Sequence, residues 1–121
     1  MALKVSSYNS ASLAHKIVFQ STVTQTADVD VLGSSGTIHS LDLDNQHSST
    51  VYLKLFLSSG EYVVATSEPD LMFRIPASTQ KILTLPAGLD FSQLTFWVNS
   101  APGTSSTSAP GGTVLLTAVC S

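Results

Sequence analysis

Residues 50–58 read TVYLKLFLS, in which Val51, Leu53, Leu55 and Leu57 alternate strictly with Tyr52, Lys54 and Phe56. A period of two puts the aliphatic set on one side of an extended chain and cannot wrap a stripe around a helix, so the segment predicts a strand with one greasy face and one mixed face. The alternation recurs. Residues 16–26 set Ile17, Phe19, Ser21 and Val23 against Val18, Gln20, Thr22 and Thr24, a long strand rich in β-branched residues. Residues 37–44 set His39, Leu41 and Leu43 against Ile38, Ser40, Asp42 and Asp44. The polar break at residues 44–48 predicts a hairpin joining this strand to residues 50–58.

Residues 62–66 form a short apolar segment, and residues 71–77 and 82–88 are apolar runs that meet Pro76 and Pro86. A missing N–H keeps proline out of a central ladder, so each proline marks a strand end or a sheet edge. Residues 94–99 set Phe96 and Val98 against Thr95 and Trp97, and residues 113–120 finish the chain as a strand. Between them SAPGTSSTSAPGG, residues 100–112, is low in complexity and predicts a mobile loop. Residues 1–15 carry one alternating stretch, Leu3, Val5 and Tyr8, in a Ser/Ala-rich context that suits an amino-terminal arm or edge strand. About eight strands and no helical period predict an all-β fold, an antiparallel β-sandwich or jelly roll. One such domain spans residues 16–121, preceded by the extended arm at residues 1–15.

Composition changes the picture at the surface. Of 121 residues 43% are hydrophobic and only 11% charged, against about 25% charged in ordinary soluble domains. The solvated surface must be built from Ser, Thr, Asn and Gln, which is cheaper to desolvate than a charged one and suits contact with another protein or a sugar. The five basic residues Lys4, Lys16, Lys54, Arg74 and Lys81 are scattered in a chain of net charge −3, which argues against a nucleic-acid partner. No run approaches the roughly 18 apolar residues of a membrane span or forms a signal peptide, so no membrane partner is expected and the default compartment is a cytoplasm. Cys120 is the only cysteine; no internal disulfide is possible, and it reads as a buried or terminal thiol.

Candidate chemistry is sparse. His15, His39 and His47 have no metal-ligand spacing. Asp28 with Asp30, and Asp42 with Asp44, place two carboxylates on one strand face, where a solvated surface is the expectation and a calcium ion the competing one. Glu61, Glu68, Asp70 and Asp90 become a carboxylate pair only if folding brings two of them across one cleft. No serine sits in a nucleophile elbow. The chain is therefore expected to be neither an enzyme nor dependent on a cofactor or metal. Tyr8, Tyr52, Tyr62 and Trp97 are the aromatic residues able to stack on a sugar ring or anchor a protein contact, although in a sandwich such rings are more often core or sheet-face residues. Trp97, out of phase with Phe96 and Val98, is the best single candidate for an exposed one.

Leu41-Asp-Leu-Asp-Asn45, Val51-Tyr-Leu-Lys-Leu-Phe56, Glu68-Pro-Asp70, Arg74-Ile-Pro-Ala77 and Leu85-Pro-Ala-Gly-Leu-Asp-Phe91, followed by the Gly/Thr/Ser/Pro-rich loop and a last apolar strand, resemble small structural proteins of tailed bacteriophages, including cyanophages. The resemblance spans residues 38–120 and lies in the order and spacing of these phrases. Ala87 stands where that group often has an acidic residue, and residues 1–37 fall outside it. It implies a β-sandwich decoration or cement protein on the outer surface of a virion capsid, assembled in the host cytoplasm. The implied partners are the major capsid protein and two further copies in a homotrimer. The contact candidates in this reading are Leu3, Val5 and Tyr8 of the arm, together with Trp97. Two other readings stay open: a carbohydrate- or receptor-binding module of a tail fibre or spike, and a tail or neck adaptor.

Overall fold

The computed structural model of the chain describes residues 3–7 and 16–121, which form eight strands and no helix. They are β1 (Leu3–Ser7), β2 (Lys16–Gln20), β3 (Gly36–Asn45), β4 (Val51–Phe56), β5 (Leu71–Ile75), β6 (Thr79–Phe91), β7 (Thr95–Asn99) and β8 (Val114–Cys120). A five-stranded antiparallel sheet runs β1-β2-β8-β3-β6, and a three-stranded one runs β5-β4-β7. Residues 24–31 continue the second sheet along β7: Asp28 and Phe96 exchange backbone hydrogen bonds, Val31 N–H reaches Leu94 O, and Val98 N–H reaches Thr24 O. Counting that segment, β2-β8-β3-β6 faces a second layer ordered 24–31, β7, β4, β5, the strand order of a jelly roll. The alternating aliphatics meet between the layers: Val18, Ile38, Leu41, Leu43, Leu116 and Ala118 from one sheet, Leu53, Leu55, Ile75, Phe96 and Val98 from the other.

The expected all-β sandwich is therefore present, with four local differences. Residues 37–44 and 50–58 do not form a hairpin; β3 pairs with β6 and β8, whereas β4 pairs with β5 and β7 in the opposite layer. Buried Asn45 explains the crossing. Its Nδ2 donates to Ser49 O and lies within 3.2 Å of Ile75 O and Pro76 O, while its Oδ1 accepts from His47 N–H, so one side chain satisfies the backbone where the chain changes sheets. The strand predicted over residues 16–26 stops at Gln20 for a similar reason. Buried Gln20 accepts from Thr22 N–H and donates to Asp28, hooking the chain across to the second layer.

The third difference is phase. Ile38 is buried along with Leu41 and Leu43, because a bulge at His39 inserts one residue against β8 and reverses the alternation. Opposite it, residues 85–88 of β6 loop out against that single residue. Pro86 thus lies inside β6 rather than ending it, which is tolerated because β6 is an edge strand with one partner. Gly88 closes the excursion at φ 74°, where a Cβ would stand 2.4 Å from Thr37. The fourth is residues 62–66, which form a turn. Thr66 and Ser67 N–H both point to Val63 O, Ala65 takes φ 60°, and Val63 and Val64 stay exposed.

Candidate functional site

Four side chains were expected to make contacts, and the fold treats them differently. Leu3 and Val5 lie in β1, paired with Gln20 and Val18 of β2. Leu3 packs against the core, whereas Val5 remains 44% exposed. The arm is thus at least partly an edge strand. Tyr8 lies outside the described residues. Trp97 corrects the expectation of an exposed anchor, for only 3% of it is accessible.

Trp97 does point away from the core, as its phase requires, but the outer face of the three-stranded sheet is covered. The Tyr62 ring lies 4.7 Å from Trp97 and 6.0 Å from Phe56, centroid to centroid. Residues 100–112 close the rest, and two polar side chains hold them. Lys54, in register with Trp97, donates through Nζ to Asn99 Oδ1 at 2.9 Å and to Gly103 O at 2.7 Å. Asn99 Nδ2 in turn donates to Ser108 O at 2.9 Å. The predicted mobile loop is therefore pinned at both arms. Burial lowers the Lys54 pKa and raises that of Tyr62. At the far end of the loop, Gly111 and Gly112 lie against the His47 ring, and a Cβ on Gly112 would stand 2.4 Å from its Nδ1.

The outer face of the five-stranded sheet has a different composition. Across it the registers align Lys4, Phe19, Thr117, Asp42 and Ile82 in one row, Ile17, Val119, Ser40 and Thr84 in the next, and Leu115, Asp44 and Gln80 in a third. Ile17, Phe19, Leu115 and Val119 are half-buried here, and Ile82 is 67% exposed. Asp42 accepts from Gln80 and Asp44 from Gln46. Phe19, Asp42, Asp44, Leu115 and Thr117 line a dent of about 190 Å³ in this face.

Several of the remaining sequence candidates have partners within the fold. Asp70 and Asp90 do share a cleft of about 480 Å³ at the sandwich end, between Leu57, Leu71, Leu89 and Phe91. Asp70 uses Oδ2 on the Leu57 and Ser58 N–H groups, at 2.6 and 3.0 Å, and accepts the Ser58 hydroxyl as well. Asp90 accepts from Thr37 Oγ1. Asp28 binds Gln20, and Asp30 sits at φ 46° with its N–H on Thr95 Oγ1, so this pair is not a shared strand face. His39 Nε2 lies 2.8 Å from Ser121 Oγ. His15 is outside the described residues. Buried Cys120 has its thiol pushed up to about 11 by desolvation, against a smaller opposing pull from Lys16.

Sequence reasoning gave no structural role to the polar residues that organise the crossings and covers, Gln20, Asn45, Lys54 and Asn99, and named Asp70 only as a candidate carboxylate. One signal was visible. Lys54 is the sole charge in an otherwise apolar and aromatic strand, a position where an ammonium requires specific acceptors. Set against known proteins, the chain matches no family model, no curated protein and no solved structure.

Proposed function

We propose that this chain is a virion structural protein, a capsid decoration or cement protein that bridges major capsid protein subunits. The observation that carries a binding role is the outer face of the five-stranded sheet, where Ile17, Phe19, Leu115, Val119 and Ile82 stand among short polar side chains in a solvent-facing layer. Apolar area in the middle of a weakly charged, hydroxyl-bearing surface is the composition of a protein contact. The capsid as partner rests on the resemblance of residues 38–120 to phage structural proteins. Jelly rolls recurring in viral capsid and lectin domains adds a fold-level analogy. Of the Tyr and Trp faces that a glycan-binding module would use, that of Trp97 is covered by the Tyr62 ring.

The test is co-sedimentation of the purified chain with empty capsids of the virus that encodes it. Saturable binding at a fixed ratio to the capsid subunit supports the reading, and a chain that stays in the supernatant overturns it. Charge reversal at Asp42, or removal of Phe19, is expected to reduce occupancy on capsids if the open face makes that contact.

A further inference from the structure

We propose that the outer face of the five-stranded sheet pairs with the same face of a second copy, the Lys4 ammonium of each entering the Asp42–Asp44–Phe19 dent of the other. The pairing uses the face that carries the capsid reading, so the two compete for one surface: sedimentation of the chain alone tests the pairing, and co-sedimentation with capsids tests the other.

The argument is charge complementarity laid out on a register. Lys4 on β1 and Asp42 on β3 lie in the same cross-strand row, separated by Phe19 and Thr117. Neighbouring strands are about 4.8 Å apart, so the two charges sit roughly 14 Å from each other on one face, too far to pair within a chain. Two faces stack by a two-fold axis lying between them. An axis parallel to the strands and midway between β2 and β8 exchanges β1 with β3 and β2 with β8. Lys4 then stands over Asp42, Phe19 over Thr117 and Ile17 over Val119, all in matching rows. An axis across the strands stacks β1 on β1 and loses the ionic pairs.

The receiving site suits a lysine head. The dent is lined by two carboxylates and one phenyl ring together with Gln80, Leu115 and Thr117. A primary ammonium finds there charge-assisted acceptors and an aromatic face, while its methylene stem covers apolar surface. Gln80 and Gln46 donate to the same carboxylates and orient them. β6 overhangs the paired region, which leaves Ile82 outside it.

Four strands of about five residues give roughly 300 Å² of flat sheet per copy, below the size of a stable interface, so the expected dimer is weak. Sedimentation velocity of the full chain from about 10 to 500 µM is the experiment. The result expected is a monomer that shifts to a dimer across that range and shifts less as salt is raised, because the ionic pairs are screened. Lys4→Glu and Asp42→Lys should each weaken dimerisation about tenfold, and the double reversal should restore it. A monomer at every concentration leaves the face to another occupant and overturns the proposal. So does a trimer, the state the phage resemblance implies. A dimer insensitive to salt overturns it too, and that measurement needs no variant.

Discussion

The outer face of the three-stranded sheet lies under Tyr62 and residues 100–112, whereas that of the five-stranded sheet carries Ile17, Phe19, Leu115 and Val119 with short polar neighbours. Both faces mix apolar and polar residues at period two, and both point away from the core. What separates them is a tether. On the covered face a buried ammonium and a buried amide, Lys54 and Asn99, bind backbone carbonyls of the loop that lies over them. On the open face the polar residues bind one another, as Asp42 binds Gln80. A mixed face is closed by its own chain when its polar groups have loop backbone to reach, and here the face without such a tether stays open.

The most forceful way to break this contrast is Trp97→Ala. Trp97 is packed between its sheet and the Tyr62 ring, so truncation removes a large buried ring and leaves a cavity. The expected cost is about 3 kcal/mol or more, read as a lower urea midpoint with an unchanged slope. Tyr62 loses its stacking partner, and residues 100–112 should exchange amide protons faster. A loss below about 1 kcal/mol would mean that the face is not closed in solution.

Two buried groups, one on each sheet, also answer alkali with opposite signs. Cys120, on the inner face of the five-stranded sheet, has a folded pKa near 11 against an ordinary 9.0. Between those values the unfolded chain has given up the thiol proton and the native chain has kept it. Its stabilising contribution is intact below pH 9 and falls by about 2–3 kcal/mol as pH rises to 11. Lys54 on the three-stranded sheet runs the other way. Burial lowers its pKa below 10.5, so the cost of a charged, buried ammonium is relieved as pH approaches 10.5 and the native state gains. Tyr62, raised by burial, adds to the loss above pH 10. Urea midpoints at about pH 8 and pH 10.5 separate the groups. Cys120→Ala should flatten the alkaline decline, and Lys54→Met should steepen it. The methionine variant should also lose about 1–3 kcal/mol at neutral pH, since the Asn99 and Gly103 oxygens are left without their donor. A steeper decline in Cys120→Ala would refute the assignment.

Period two made much of the fold legible. The alternation in residues 50–58 correctly places Leu53 and Leu55 inside, and that in residues 94–99 places Phe96 and Val98 there. It failed where the chain changes layers. Alternation in residues 16–26 continues past Gln20, yet the strand ends there, because a buried amide makes a better connection to Thr22 and Asp28 than the ladder offers. In residues 37–44 a single bulged residue, His39, reverses which half of the strand faces inward, and no local pattern announces it. Trp97 shows the limit for the site. Its outward phase was readable, but its cover comes from residues 35 positions earlier and from a loop whose composition suggests disorder. Covering is a long-range property, set by where Lys54 and Asn99 find acceptors.

The smallest expected effect sharpens the comparison most. Ile82 is the most exposed large aliphatic on the open face and belongs to an edge strand with a single partner. Ile82→Thr keeps the β-branch that suits an extended backbone while removing apolar surface that faces water. Stability should move by no more than about 0.5 kcal/mol. The proposed two-fold pairing leaves β6 overhanging, so self-association should not change either. Phe19→Thr, in the same row three strands away on β2, should abolish it at similarly small cost to folding. Thermal midpoints and sedimentation of the two variants side by side divide the open face into a part that meets the second copy and a part that does not. If Ile82→Thr weakens association as much as Phe19→Thr, the axis is displaced toward β6 and Lys4 no longer lies over Asp42.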